Sequence, residues 1–185
     1  APETRTVSPA VEDAFGFAET QVVSFADLYA GKIMAALDRQ HPRDLFDIRD
    51  LLANEGIGDD LRRAFLVYLI SHDRPISEIV APRRKDLTQE FVQGFEGMTT
   101  EPMALEDLAA ARENLIAVIT GSMPEAHKQF LLGFKHGTPD WELIGLPDAA
   151  DLPAVKWKPL NLDKLSEDAR ERLVTSLSPR WRGAA

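Results

Sequence analysis

The sequence predicts a mainly α-helical fold, a helical bundle preceded by one or two short strands. Three observations carry this. Apolar residues recur at helical spacing in one segment after another from Phe25 onward. Pro42, Gly56, Pro75, Pro82, Pro102 and the stretch from Gly121 to Pro124 cut that pattern into pieces of helix length. Only residues 1–24 depart from it, alternating weakly and ending in the β-branched pair Val22-Val23 before Ser24.

Taken in order, residues 1–24 predict one or two short strands, too few to form a stable sheet alone, so they call for partners. Ser24 with Asp27 three residues later has the form of a capping box. It opens a helix expected to run through Phe25, Leu28, Tyr29, Ile33, Ala36 and Leu37 and to end near Arg39. Pro42 has a preset φ and no amide hydrogen to leave unpaired, so the next helix is expected to start there and stop before Gly56. Leu45, Ile48, Leu51 and Leu52 give that helix its apolar face. Residues 61–71, 87–95, 105–120 and 125–134 repeat the helical period. Residues 140–143 predict a short helical turn, 145–160 a proline-punctuated loop, and 163–177 a last amphipathic helix. The predicted division is a strand segment over 1–24 and a helical domain over 25–185, with no internal repeat.

The chain has 185 residues, 44% of them hydrophobic, enough for one domain with a core. No run approaches the roughly 18–20 apolar residues needed to cross a bilayer, and the first residues lack the basic flank and apolar centre of a signal peptide. Membrane insertion and secretion are not expected. Zero cysteines exclude disulfides, thiolate-bound zinc, iron–sulfur clusters and cysteine nucleophiles, and fit a reducing compartment, with the cytoplasm as the expected location. A net charge of −9 argues against a broad basic footprint for nucleic acid. The local exceptions are Arg83-Arg84-Lys85 and the set Arg170, Arg172, Arg180 and Arg182, which read first as solvated faces. Direct RNA binding through the second set is the weakest reading and would weaken steeply with salt.

Lys32 is the most informative residue. Its helical neighbours Leu28, Tyr29, Ala35 and Ala36 are all apolar, so a charge sits on a core-facing stripe. Either the ammonium reaches the helix edge or pairs structurally, or it is a cation aimed at phosphate oxygens. The second constellation is Arg43, Asp44, Asp47 and Asp50 in HPRDLFDIRD, where Arg43 and Asp47 lie one turn apart. The Asp44–Asp47 spacing suits a divalent cation or an oriented base, and equally a solvated surface. Together, a lysine helix and an Arg-Asp helix joined by a short turn could put an ammonium and a carboxylate on facing walls of one cleft. That arrangement suits phosphoryl chemistry. The sequence shows no D-x-D, no glycine-rich phosphate loop, no metal-ligand set and no serine in a nucleophile elbow. His41, His72, His127 and His136 lack a metalloprotease spacing and read as surface or capping residues.

The stretch from Val22 to Leu52 resembles the second half of the nucleotidyltransferase-like AbiEii/AbiGii toxin family. The resemblance rests on Leu28-Tyr29-Ala30-Gly31-Lys32-Ile33-Met34-Ala35, then Arg43-Asp44-Leu45-Phe46-Asp47, with Trp157-Lys158-Pro159-Leu160-Asn161-Leu162 similar to the family's C-terminal end. It implies that the strands over 1–24 are left from a nucleotidyltransferase α+β sheet and that the helical domain follows it. By the same resemblance Lys32 would be the active-site lysine near the nucleotide phosphates and Asp44 the later active-site aspartate, with Arg43 and Asp47 supporting. The family implies transfer of a nucleotide from an NTP, with Mg2+, to an acceptor such as tRNA, and an antitoxin partner. The family's glycine-serine turn and magnesium-holding aspartates lie upstream of the lysine helix and are not found here. The expectation is therefore either a C-terminal fragment, inactive alone, that binds neither Mg2+ nor NTP by itself, or a degenerate relative that keeps the fold without turnover; residues 1–24, which read as the last strands of a sheet, favour the fragment. The alternative is a non-catalytic helical module that binds a protein partner through Trp141, Trp157 or Trp181, each of which reads first as a core residue.

Overall fold

A computed structural model describes residues 2–100, 102–162 and 167–177 of the chain. Strand β1 (Glu3–Thr6), helix α1 (Pro9–Phe15) and strand β2 (Glu19–Val22) come first. Helices α2 (Phe25–Asp38), α3 (Pro42–Asn54), α4 (Asp59–Ser71), α5 (Ile76–Ile79), α6 (Thr88–Gly94), α7 (Leu105–Gly121) and α8 (Glu125–His136) follow. Two 3-10 turns (Trp141–Ile144 and Pro147–Asp151) then lead into α9 (Pro153–Leu162) and α10 (Glu167–Leu177). The chain is mainly helical with a two-stranded antiparallel sheet at its N-terminal end, as its periodicity predicts.

β1 and β2 pair with Glu3 opposite Val22 and Thr6 opposite Glu19. Between them lies α1, where the sequence predicts only strand. Pro9 sits at its first turn, where a missing amide hydrogen costs nothing, and the helix formers Ala10, Glu12 and Ala14 follow. None of its residues is buried.

The core begins at α2. Ala30, Ile33, Met34, Ala36 and Leu37 are buried and pack chiefly against α4, whose Phe65, Leu66 and Leu69 face them. α3 inserts Leu45, Ile48 and Leu51 between α2 and the long α7, whose Leu108, Leu115 and Ile119 complete that side. The helix starts follow the predicted chemistry. The Ser24 hydroxyl accepts the Asp27 amide at 3.3 Å. The reciprocal half of a capping box is replaced, because the Asp27 carboxylate accepts the Tyr68 hydroxyl from α4 at 2.9 Å. Pro42 opens α3, with His41 Nδ1 accepting the Arg43 amide at 3.2 Å.

Residues 145–160 require a correction. They form a 3-10 turn and α9 rather than loop: Pro147 and Pro153 stand at helix starts, and only Pro159 falls inside a helix. Val155, 2% exposed, then anchors α9 on the core. Residues 163–166 of the predicted last helix lie outside the described residues, as do Arg180, Trp181 and Arg182. Among the described residues no helix is long and apolar enough to cross a membrane.

Candidate functional site

The groove between α2 and α3 gathers most of the residues singled out by sequence. Lys32 lies in the middle of α2, and its ammonium donates to the Asp47 carboxylate of α3, with about a third of each side chain exposed. The Tyr29 ring, one turn back, has its centroid 5.8 Å from the Lys32 Nζ. Two turns further along the same face of α2, Arg39 Nη2 donates to Asp44 Oδ1 at 2.9 Å. The groove thus carries two ion pairs in series, Lys32–Asp47 and Arg39–Asp44.

The acids differ in what they have left to offer. Asp44 is 14% exposed, and its Oδ2 is buried with no hydrogen-bond partner. A buried carboxylate oxygen without a donor is under-satisfied, so it is a ready acceptor once a donor reaches it. Asp47 faces Lys32 directly. Arg43 turns away from both pairs, with Nε and Nη2 donating to the Gly94 carbonyl at the end of α6 at 3.2 and 3.1 Å. The structure therefore brings Lys32 together with Asp47, holds Asp44 on Arg39, and uses Arg43 to tie α3 to α6.

A recess of about 420 Å³ opens at the turn between α2 and α3, walled by Arg39, His41, Arg43, Asp44, Lys85 and Glu90 among others. Lys85 reaches the end of α2, where its Nζ donates to the Asp38 and Arg39 carbonyls at 3.0 Å each. Cations outnumber acids along this wall, in a chain whose net charge is −9.

Two residues that the sequence reading passed over hold this turn. Gln40 is 1% exposed and adopts φ 55°, the left-handed region that non-glycine residues enter only at a cost. Its Nε2 donates to the Arg83 carbonyl at 2.8 Å, and its Oε1 accepts Arg112 Nε at 2.8 Å and the Lys85 amide at 3.3 Å. Arg112, 4% exposed, also donates to the Pro82 carbonyl and to Glu113 at 2.6 Å. The signal for Arg112 was present: it interrupts the apolar stripe of Leu108, Leu115 and Ile119 much as Lys32 interrupts its own.

The remaining candidates separate by burial. His41 and His72 each accept a backbone amide two residues on, and His136 is exposed. His127 corrects the surface-or-capping reading: it is 4% exposed, and burial lowers its pKa. Trp141 packs on Phe130 with ring centroids 5.1 Å apart, whereas Trp157 is 58% exposed. Among the described residues no group of three or more His, Asp or Glu could hold a metal ion. Asp47 is already matched by Lys32 and Asp44 by Arg39, so these two carboxylates do not fit a magnesium ion by themselves.

Compared with known proteins, the chain matches one family model, described as nucleotidyl transferase AbiEii toxin, Type IV TA system, over residues 1–158. No curated protein and no solved structure matches it.

Proposed function

The chain belongs to the nucleotidyl transferase AbiEii toxin family, and from that premise we propose that the α2–α3 groove is the helical wall of a nucleotidyl-transfer site. The observation that carries the proposal is the part-exposed Lys32 ammonium, held by Asp47 across the α2–α3 groove, two helical turns along α2 from the Arg39 end, where a recess walled by more cations than acids opens. An ammonium has three donors, and Asp47 engages one side of it. The others can meet non-bridging phosphate oxygens of an NTP and offset the charge that develops during transfer.

In this reading Asp47 is a positioning residue that fixes the lysine's rotamer, and Asp44 is the acid on the acceptor side. As general base, its carboxylate takes the acceptor hydroxyl's proton through Oδ1, which Arg39 leaves when it swings aside toward phosphate, while the hydroxyl oxygen bonds the α-phosphorus of the NTP and pyrophosphate departs. Arg43 supports the turn rather than touching nucleotide. Magnesium would neutralise the triphosphate in the complete protein. The described residues do not form a site for it, so by resemblance its carboxylates come from the family's sheet portion, and the chain alone is expected to be inactive.

The acceptor we favour is an RNA such as tRNA, in the cytoplasm, with an antitoxin as the functional counterpart that the family description names. The reading as a non-catalytic protein-binding module keeps one supporting observation, the exposed Trp157. The test is incorporation of labelled NTP into cellular RNA by the complete protein, by this chain, and by the complete protein with Lys32→Ala. Lys32-dependent label from the complete protein is expected. Absence of label with every nucleotide would leave the binding module as the better account.

A further inference from the structure

A second recess, of about 230 Å³, lies between the end of α4, the segment leading into α5, and helices α8, α9 and α10. Leu69, Phe134 and Leu173 make part of its wall apolar, and Arg74, Lys135 and Lys158 bring three cations to it. The cations are not equally matched. Arg74 is neutralised, donating to Asp38 at 2.6 Å and to Glu78 at 3.3 Å, and His72 also faces Asp38. Lys158 is only 16% exposed, yet its ion partner Asp73 stands 3.5 Å away and is itself 95% exposed. Lys135 has no ion-pair partner among the described residues, although burial, reinforced by the charge of Lys158, pushes its pKa down to about 8.

Two largely buried ammonium groups that repel each other, one of them matched only by a loose, solvent-facing acid, are costly unless an anion completes the set. We propose that this recess is an oxyanion site that holds a phosphate group, free or at the end of a small organic ligand, between Lys135 and Lys158. Each ammonium offers donors from a different helix, so one tetrahedral anion can engage both, as a planar carboxylate does less well. The apolar walls limit water and strengthen both ion pairs, and they leave room for the carbon portion of a phosphate monoester. The site shares no residue with the α2–α3 groove and stands whether or not nucleotidyl transfer is confirmed.

The test is a titration of the chain with inorganic phosphate and with an alkyl phosphate monoester, at ionic strength held constant with chloride. Calorimetry and the lysine side-chain nitrogen signals report binding. Saturable binding that moves the Lys135 and Lys158 signals is expected, and Lys135→Met and Lys158→Met should each weaken it by at least about tenfold, the scale of one charge-assisted hydrogen bond. Tighter binding of the monoester would identify an organic ligand, and equal or weaker binding would identify free phosphate. Lys135→Met removes a desolvated charge and is expected to fold at least as firmly as the parent. No saturable binding, affinity kept within tenfold by either variant, or binding abolished by Lys32→Met instead would overturn the proposal.

Discussion

The sharpest prediction concerns Gln40, because one side chain and one backbone angle can be separated there. Gln40→Ala removes three hydrogen bonds, one of them to a guanidinium that is 4% exposed, and keeps the left-handed backbone at φ 55°. A neutral hydrogen bond contributes about 1 kcal/mol and one to a charged group about 1.5–3 kcal/mol. The bonds to the Arg83 carbonyl and the Lys85 amide are only part-buried, so water replaces Gln40 there at least in part. It cannot as readily replace the acceptor of Arg112. The expected loss is therefore about 3 kcal/mol, dominated by the Arg112 bond. Gln40→Gly loses the same hydrogen bonds but escapes the left-handed strain of about 1–2 kcal/mol, part of which glycine's extra unfolded-state freedom cancels. It should be more stable than the alanine variant by about 1 kcal/mol. Urea unfolding followed by circular dichroism measures both. An alanine variant within about 0.5 kcal/mol of the parent, or a glycine variant no better than alanine, would refute the assignment of this turn as a strained, side-chain-clamped element.

Lys32→Ala should abolish nucleotidyl transfer by the complete protein while changing the stability of this chain by less than about 1 kcal/mol, because the pair with Asp47 is partly exposed and screened; a large loss of stability would make Lys32 a structural residue. Lys135 has a folded pKa of about 8 against an ordinary 10.5, so the unfolded state binds more protons between those values. Stability should therefore rise as pH increases across that window, by an amount on the order of 3 kcal/mol relative to Lys135→Met, in which the rise should be missing. Trp157→Ser should leave thermal stability nearly unchanged, whereas Trp141→Ala, stripped from Phe130, should cost roughly 3 kcal/mol in calorimetry. Similar losses from both would mean that α9 depends on the Trp157 ring.

Much of the architecture was written in local chemistry. Ser24, Pro42 and the glycine and proline breaks act within a few residues of themselves, so the bounds of α2, α3, α7 and α8 follow from them with little error. The same logic misjudged Pro147 and Pro153. A proline terminates a helix or begins one depending on which neighbour packs, and Val155 reaching the core decided for a beginning. Helix α1 was missed because its seven residues span only two turns: Val11 and Phe15 stand four apart, but so short a run does not separate helix from strand, and none of it is buried.

The candidate site divides the same way. Sequence alone singled out Lys32, since a charge on an apolar stripe needs a cause that the stripe itself cannot supply. It also placed Arg43, Asp44 and Asp47 at the start of the following helix. Which carboxylate meets the lysine depends on how α2 and α3 rotate against each other, and a rotation of one residue exchanges Asp44 for a neighbour. The packing of Leu45, Ile48 and Leu51 sets that rotation, and it presents Asp47 to Lys32 and Asp44 to Arg39. The clamp of Gln40 on Arg112 and the pairing of Lys135 with Lys158 across a recess join residues 72 and 23 positions apart. Hydrophobic period and capping are short-range properties of the chain and were legible in it; the partners of its buried charges are long-range, and only the packed bundle decided them.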